Sequence, residues 1–107
     1  MARTQKSTEP RPTNRSIGHA LRTARQARGL SQAQVAAELG LVRERVTDKE
    51  GGRRPVLATE LYRWAAVLRT TPAKIYRSAL AVELALIFVM LTTPNQLALP
   101  LVDEASQ

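Results

Sequence analysis

Six charged side chains of both signs lie within the eight residues from Arg43 to Glu50, and this segment is the part of the sequence best suited to contacting a polar partner. A solvated surface helix is one interpretation. However, Glu44 and Asp48, four residues apart, carry like charges and would be mildly destabilising on such a helix. The alternative is a helix that contacts bases, because arginine can donate to guanine O6 and N7 while Glu or Asp accepts from cytosine N4. The mixed charges therefore favour a helix that contacts G·C pairs.

The chain lacks the residue sets that common catalytic and metal sites need. It has no cysteine, which excludes disulfides, cysteine zinc sites and thiol catalysis, and its single histidine, His19, argues against a histidine metal cluster or catalytic dyad. No nucleophile–base pair is apparent. We predict that the protein is not an enzyme and uses no cofactor. Without cysteines or an apolar leader at the N-terminus, the expected location is the cytoplasm, associated with the nucleoid.

The net charge of +7 is confined to one half of the sequence. Residues 1–54 contain 12 Lys and Arg against five Asp and Glu, whereas residues 55–107 contain four of each. A one-sided basic excess is typical of proteins that bind a polyanion, although basic proteins without a nucleic-acid partner are also common.

Helical periodicity begins at Ser16, and Gly29 is placed to end the first helix. Ser31 and Gln34 form a capping-box pattern for a second helix that Gly40 ends. A third helix is predicted over residues 42–50 and a fourth over residues 57–68. Thr71-Pro72 marks the start of a fifth, because proline is favoured in the first helical position.

An apolar run covers residues 79–91, with Glu83 as its only polar side chain. Its 13 residues are short of the roughly 20 that cross a membrane, so no membrane contact is predicted. A core of about 60 residues cannot cover so many apolar side chains. The run therefore predicts a homodimer contact, either as one long helix or with a strand over residues 87–91. Glu83 is expected at the rim or paired with Arg77. The predicted interface consists of Leu80, Leu84, Ile87, Phe88 and Leu91.

The two ends of the chain are predicted to lie outside the packed core. Residues 1–15 are polar and basic and contain two prolines, so they are expected to form a disordered arm. The remaining segments are a DNA-binding domain over residues 16–71, a dimerisation helix over residues 72–93 and a tail over residues 94–107. Pro94 and Pro100 are expected to interrupt helical structure in that tail.

Residues 17–76 resemble the helix-turn-helix domain of the Cro and lambda-repressor family, also called the xenobiotic-response-element family. The matching segments are "IGHALRTARQARGLSQAQVAAELGL", Val46, "KEGGRR" in part, "LYRWAAVL" and "TPAKIY". Small Ala36 fits the crossing of the two motif helices, and Leu39 and Val46 supply apolar contacts between them. The resemblance implies an all-α, five-helix lambda-repressor-like domain, here with an extended apolar C-terminal helix.

The resemblance also implies roles for individual residues. The third helix would be the recognition helix in the major groove. The base-contacting candidates are Arg43, Glu44 and Asp48. The phosphate-contacting candidates are Gln32, Arg45, Arg53 and Arg54. Arg25 and Glu50 occupy positions that form a partly buried structural ion pair in the family.

Two residues depart from the family pattern. Val42 stands where the third helix usually has a Ser or Thr cap, a loss worth about 1 kcal/mol. Lys49 stands at a position that is usually apolar, and we expect its stem to be buried with its charge extended to solvent.

These features predict a dimeric, sequence-specific transcriptional regulator, most simply a repressor bound to a pseudo-palindromic DNA operator. An antitoxin that also binds its own operator is the alternative, with the C-terminal segment binding a toxin partner. A third hypothesis, motivated by Val42 and Lys49, is a protein-binding module with a degenerate helix-turn-helix.

Overall fold

The computed structural model describes residues 11–106, and side-chain environments for residues 11–92. Five α-helices account for its regular structure, and the described residues include no strand: α1 (Asn14–Ala27), α2 (Gln32–Leu39), α3 (Arg43–Glu50), α4 (Ala58–Val67) and α5 (Pro72–Ser106). The predicted all-α class and five-helix count are confirmed.

Helix α1 begins two residues earlier than the sequence predicted. Thr13 is its N-cap and forms a capping box with Ser16, in which each side chain accepts a hydrogen bond from the other's main-chain N–H, at 3.1 and 2.8 Å. A Thr-x-x-Ser pair can therefore begin the helix before its apolar face starts. Residues 11–15 thus do not belong wholly to a disordered arm, and residues 1–10 of that predicted arm lie outside the described residues.

Helix α2 has the predicted capping box. The Ser31 hydroxyl accepts from the Gln34 main chain at 3.0 Å, and the Gln34 side chain accepts from the Ser31 main chain at 2.7 Å. Gly40 follows the helix with φ of 70°, a left-handed conformation that glycine adopts without steric cost.

The core lies where α1, α2, α3, α4 and the start of α5 meet. Ala36 and Val46, predicted at the contacts between motif helices, are both buried. Gly18 brings α1 against the end of α3, since a Cβ at this position would lie less than 3 Å from the main-chain oxygens of Lys49 and Glu50. The largest fully buried side chains include Trp64, Leu21, Ile75, Val35 and Val46.

Helix α5 has a buried beginning and an exposed continuation. Ile75 and Ala79 belong to the core, whereas the large apolar side chains from Leu84 to Leu91 are exposed. Residues 87–91 are helical, so the strand alternative is wrong.

The predicted interruption of the tail is also wrong, because α5 continues through Pro94 and Pro100. A proline removes one main-chain hydrogen bond and kinks a helix, which does not require the helix to end.

Glu83 does not pair with Arg77. Its carboxylate instead accepts a hydrogen bond of 2.9 Å from the hydroxyl of Thr13, the N-cap of α1. The positive end of the α1 dipole favours a carboxylate there, and α1 has no acidic residue in its own first turn. The contact joins the fourth turn of α5 to the N-terminus of α1.

By length and composition alone, Pro72–Thr92 could cross a membrane. The 13-residue apolar run is only part of this longer helix, which begins at Pro72. Ile75 and Ala79 nevertheless lie in the core of the domain, so the first two turns of this segment are occupied by protein contacts.

Candidate nucleic-acid interface

Helix α3 is anchored through one face and exposes the other. On the anchored face, Val46 of α3 is fully buried. In the first turn of the helix, Arg43, Glu44 and Arg45 are exposed to solvent. Val42 precedes the helix with extended φ and ψ and provides no side-chain hydrogen bond, as the missing Ser or Thr predicts. The first turn of α3 is therefore free to approach a ligand.

Arg25 and Glu50 form a buried, bidentate ion pair. The Nε and Nη2 atoms of Arg25 donate to the two carboxylate oxygens of Glu50 at 2.6 and 3.1 Å, and Nη1 donates to the Leu30 carbonyl at 2.8 Å. Such a pair fixes orientation as well as contact, because both planar groups are held by parallel hydrogen bonds. It joins α1 to the end of α3.

Gln32, a predicted phosphate contact, already has side-chain partners inside the protein. Its amide nitrogen donates to Glu50 at 3.0 Å, and its amide oxygen accepts from the Thr47 hydroxyl at 2.9 Å. The half-buried side chain thus connects the first residue of α2 to two turns of α3. Sequence reasoning missed Thr47, although its position three residues before Glu50 places both on one face of the helix.

Lys49 is buried, so the expectation that its charge extends into solvent is wrong. Its ammonium donates to Glu60 and to the Pro55 carbonyl, both at 3.0 Å, and its side chain is 6% exposed. These contacts tie α3 to the following loop and to α4. An acidic partner on a neighbouring helix made burial of the charge feasible, and the position of that partner depends on the tertiary fold.

The Lys49 contact also affects the ionisation of Glu60. Burial by itself would raise the pKa of Glu60, but the hydrogen bonds from the Leu57 main-chain N–H and the Lys49 ammonium outweigh it and lower the pKa below its ordinary value of 4.5. The carboxylate is accordingly charged at neutral pH.

Asp48 lies at the outer edge of α3 and contacts two arginines of the following loop. Its two carboxylate oxygens accept from the Nε atoms of Arg53 and Arg54 at 3.0 and 3.4 Å. The hydrogen bond from Arg53 is the main cause that lowers the pKa of Asp48. These arginines offset the repulsion between the carboxylates of Asp48 and Glu44. Because they lie in the loop, the charge pattern of the helix alone does not include them.

The exposed side of α3 forms a shallow depression lined by Arg43, Glu44, Thr47 and Asp48. All three base-contacting candidates border it. The structure brings these residues together on one surface, with Arg53 and Arg54 beside them. This surface, together with exposed Arg45, is called the α3 surface below.

A helix-turn-helix domain profile matches residues 16–76, the segment that contains α1 to α4, the start of α5 and the whole α3 surface. The chain belongs to this helix-turn-helix family. Its fold is that of a DNA-binding regulator. No curated protein sequence matches the chain.

Solved structures of other helix-turn-helix proteins share the arrangement. The clp gene regulator ClgR from Corynebacterium glutamicum superposes with a TM-score of 0.63 at 24% identity, over 88% of this chain and 93% of that chain. The restriction-modification controller protein C.AhdI from Aeromonas hydrophila gives a TM-score of 0.56 at 33% identity, over 59% of this chain and 96% of that chain.

A third similar structure is FeII HppE in complex with a substrate. It matches 60% of this helix-turn-helix protein at 26% identity with a TM-score of 0.57, but the match spans only 37% of the HppE chain. The similarity is therefore confined to a part of that protein.

Proposed function

We propose that this helix-turn-helix protein is a sequence-specific transcriptional regulator that binds a pseudo-palindromic DNA operator as a homodimer in the cytoplasm. Arg43 and Glu44 in the first turn of α3 contact base edges in the major groove. Arg45, Arg53 and Arg54 contact phosphates, which positions the protein without reading sequence. The single observation that supports this assignment best is the α3 surface, on which exposed arginine and carboxylate groups lie beside one another.

The electrostatics of the chain support DNA as the partner. The excess positive charge is confined to residues 1–54, the half that contains α3 and the arginines beside it. The basic N-terminal residues belong to the same half, and we propose that they add affinity by lying along the DNA backbone or in the minor groove, as homeodomain arms do.

Gln32 has a modified role in this proposal. Because its amide is engaged with Glu50 and Thr47, it orients α3 relative to the start of α2. Any phosphate contact at this position would use the main-chain N–H groups of the first turn of α2.

The exposed part of α5 supports the homodimer. Leu84, Ile87 and Leu91 are 49%, 39% and 69% exposed, which is unusual for neighbouring large apolar side chains on a helix outside a membrane. Spacings of four and three residues alternate along one stripe of the helix, as in helices that pair with one another. The members of this stripe are Ala73, Arg77, Leu80, Leu84, Ile87 and Leu91.

The stripe continues into an apolar groove between α4 and α5. Tyr62, Tyr76 and Leu80 line that groove, so Leu80 belongs to both features. An isologous contact would bury the stripes of two copies together and hold two α3 surfaces at a fixed separation, about one turn of DNA apart.

A repressor that acts by occluding a promoter, including its own, is the simplest activity for such a dimer. The 33% identical C.AhdI is a restriction-modification controller protein, which is consistent with a regulatory role. An antitoxin that binds a toxin through exposed α5 is the second candidate, favoured by the same exposed side chains.

The test is a binding titration on a DNA duplex selected by the wild-type protein from a random-sequence library, and on a scrambled duplex of equal composition. With about 6–10 phosphate contacts, affinity should fall by about 10³–10⁵ between about 50 and 200 mM salt. Arg43→Ala should weaken binding to the selected duplex by about 1–3 kcal/mol and relax the choice at one base pair. Arg45→Ala should weaken both duplexes alike.

Two outcomes would contradict the proposal. If the wild-type protein enriched no sequence from the library, sequence-specific binding would be excluded. Equal losses on both duplexes for Arg43→Ala would exclude its contact with a base.

A further inference from the structure

The position of Asp48 on α3 predicts a base contact, but its contacts in the structure favour a different role. One of its carboxylate oxygens accepts from Arg53 at 3.0 Å, and the other has a longer contact of 3.4 Å with Arg54. A carboxylate oxygen can accept a second hydrogen bond, so these ion pairs do not bar a contact with cytosine N4, but they give Asp48 a role within the protein. Arg43 and Glu44, by contrast, lie exposed in the first turn of α3.

The geometry of the two ion pairs leaves the far edges of the arginines exposed. Asp48 accepts from the Nε atom of each guanidinium, which is the edge nearest the side-chain stem. The Arg53 and Arg54 side chains remain 61% and 51% exposed. Their terminal nitrogens therefore remain available for a phosphate, with the exception of a long 3.5 Å contact from Arg53 to the Thr47 carbonyl.

We propose that Asp48 is a positioning residue that holds Arg53 and Arg54 as a preformed clamp for the DNA backbone at the end of α3. This inference rests on the proposed DNA-binding function and replaces the base contact predicted for Asp48. Long arginine side chains lose rotamer freedom when they bind, and prior ordering by Asp48 removes part of that cost.

The carboxylate also limits binding to DNA of any sequence. Asp48 offsets part of the positive charge of the pair and repels phosphates that approach in other orientations. Removing it frees both arginines to contact phosphates in many registers, while the correct register loses its preformed partner. Asp48 thus increases the ratio of affinity for the selected duplex to affinity for the scrambled one.

The experiment compares Asp48→Ala with the double variant Arg53→Ala/Arg54→Ala and with the triple variant. Asp48→Ala should lower the ratio of selected to scrambled affinity by about tenfold, equivalent to about 1.4 kcal/mol. In the double-variant background the same substitution should change the ratio by less than about twofold, because no arginine remains for Asp48 to hold. Glu38→Ala, which removes an equal charge from an exposed position on α2, is the control for net charge and should leave the ratio unchanged.

Repeating the selection with Asp48→Ala distinguishes positioning from base contact. Loss of a positioning residue leaves the preferred base at every position the same and spreads the weaker discrimination over the whole site, whereas loss of a base contact relaxes the choice at one base pair. In the unliganded protein, the hydrogen bonds to Asp48 should slow the exchange of the Arg53 and Arg54 Nε–H protons with water, as measured by NMR. The Asp48→Ala substitution should remove this protection.

Three results would overturn the inference. The first is a relaxed base pair in the repeated selection. The second is a loss of the affinity ratio in the triple variant that equals the product of the losses in Asp48→Ala and in the double variant. The third is Nε–H exchange that does not change in Asp48→Ala. A wild-type protein that selects no sequence, but whose arginine resonances respond as expected, would instead overturn the proposed function and leave the ion-pair geometry standing.

Discussion

Lys49 is the residue whose environment departs most from what its type suggests. A lysine on a helix is ordinarily solvated, yet its ammonium is enclosed between Glu60 and the Pro55 carbonyl. The desolvation of the ammonium is offset only if both partners stay in place, so this cluster couples the end of α3 to α4. The loop that presents Arg53 and Arg54 lies between these two helices.

The coupling between Lys49 and Glu60 can be measured with a double-mutant cycle. We expect Lys49→Met and Glu60→Gln to show a coupling energy of about 1 kcal/mol at pH 7, discounted because the Glu60 side chain is 30% exposed. Urea denaturation of the wild type and the three variants provides the four free energies of unfolding.

The same cycle should depend on pH. Because the pKa of Glu60 is lowered in the folded chain, its contribution to stability is present above the ordinary pKa of 4.5 and is lost as the pH falls through the lower folded value. The coupling should therefore shrink when the cycle is repeated in that acidic range. A coupling near zero at pH 7 would show that the pair does not stabilise the fold.

Among the helices, α3 shows how surrounding contacts position an element with few helical signals of its own. It has eight residues, no side-chain cap and one fully buried apolar residue, Val46. Isolated helices of this length are marginal in water. The Arg25–Glu50 pair, Gln32 and Lys49 anchor its second half, while the first half has only the turn before it.

Completing the cap of α3 should stabilise the domain. Val42 already has φ of −79° and ψ of 154°, the extended geometry of an N-cap, so only the acceptor oxygen is missing. Val42→Thr is nearly isosteric and should raise the free energy of unfolding by about 0.5–1 kcal/mol in urea denaturation. Val42→Ala is the control and should give no gain. Equal stability of the two variants would show that the first turn of α3 does not depend on a side-chain cap.

For the whole molecule, the division of α5 decides how a dimer can be tested. Ile75, Ala79 and the Glu83–Thr13 hydrogen bond belong to the domain. A chain that ends at Arg77 would therefore lose a core residue and the contact with α1, and its failure to dimerise would be ambiguous. Point substitutions beyond Glu83 leave the core intact.

Leu84→Arg and Val89→Arg form a matched pair for this test. The two side chains are equally exposed, at 49%, but Val89 lies on the opposite side of α5 from the stripe that contains Leu84. We expect Leu84→Arg to be a folded monomer with affinity for the selected duplex reduced towards its affinity for scrambled DNA, and Val89→Arg to remain a dimer. Sedimentation equilibrium measures the mass, and circular dichroism confirms the fold.

The opposite results are equally informative. A dimeric Leu84→Arg would place the interface elsewhere. Exposed α5 would then be a candidate for a toxin contact, tested by copurification with the product of a neighbouring gene, or for a membrane contact, tested by flotation with lipid vesicles.

Features that depend on neighbours along the chain follow from the sequence alone. The Ser31–Gln34 capping box, the stop at Gly40 and the buried faces around Ala36 and Val46 all follow from local spacing, as does the all-α class. Arg43, Glu44 and Arg45 were candidates because α3 resembles the recognition helix of the family, and all three are exposed.

Features that depend on which helices meet are known only once the helices are packed. Packing of the helices brings together the hydrogen-bonded side chains of Lys49 and Glu60, of Gln32 with Glu50 and Thr47, and of Glu83 and Thr13. A charged group is stable in a buried position when an oppositely charged or hydrogen-bonding partner reaches it, and periodicity along the chain does not reveal that partner. The distinction between a base contact and a positioning role for Asp48 therefore arises from three-dimensional contacts with Arg53 and Arg54, while its place on the α3 surface follows from sequence spacing.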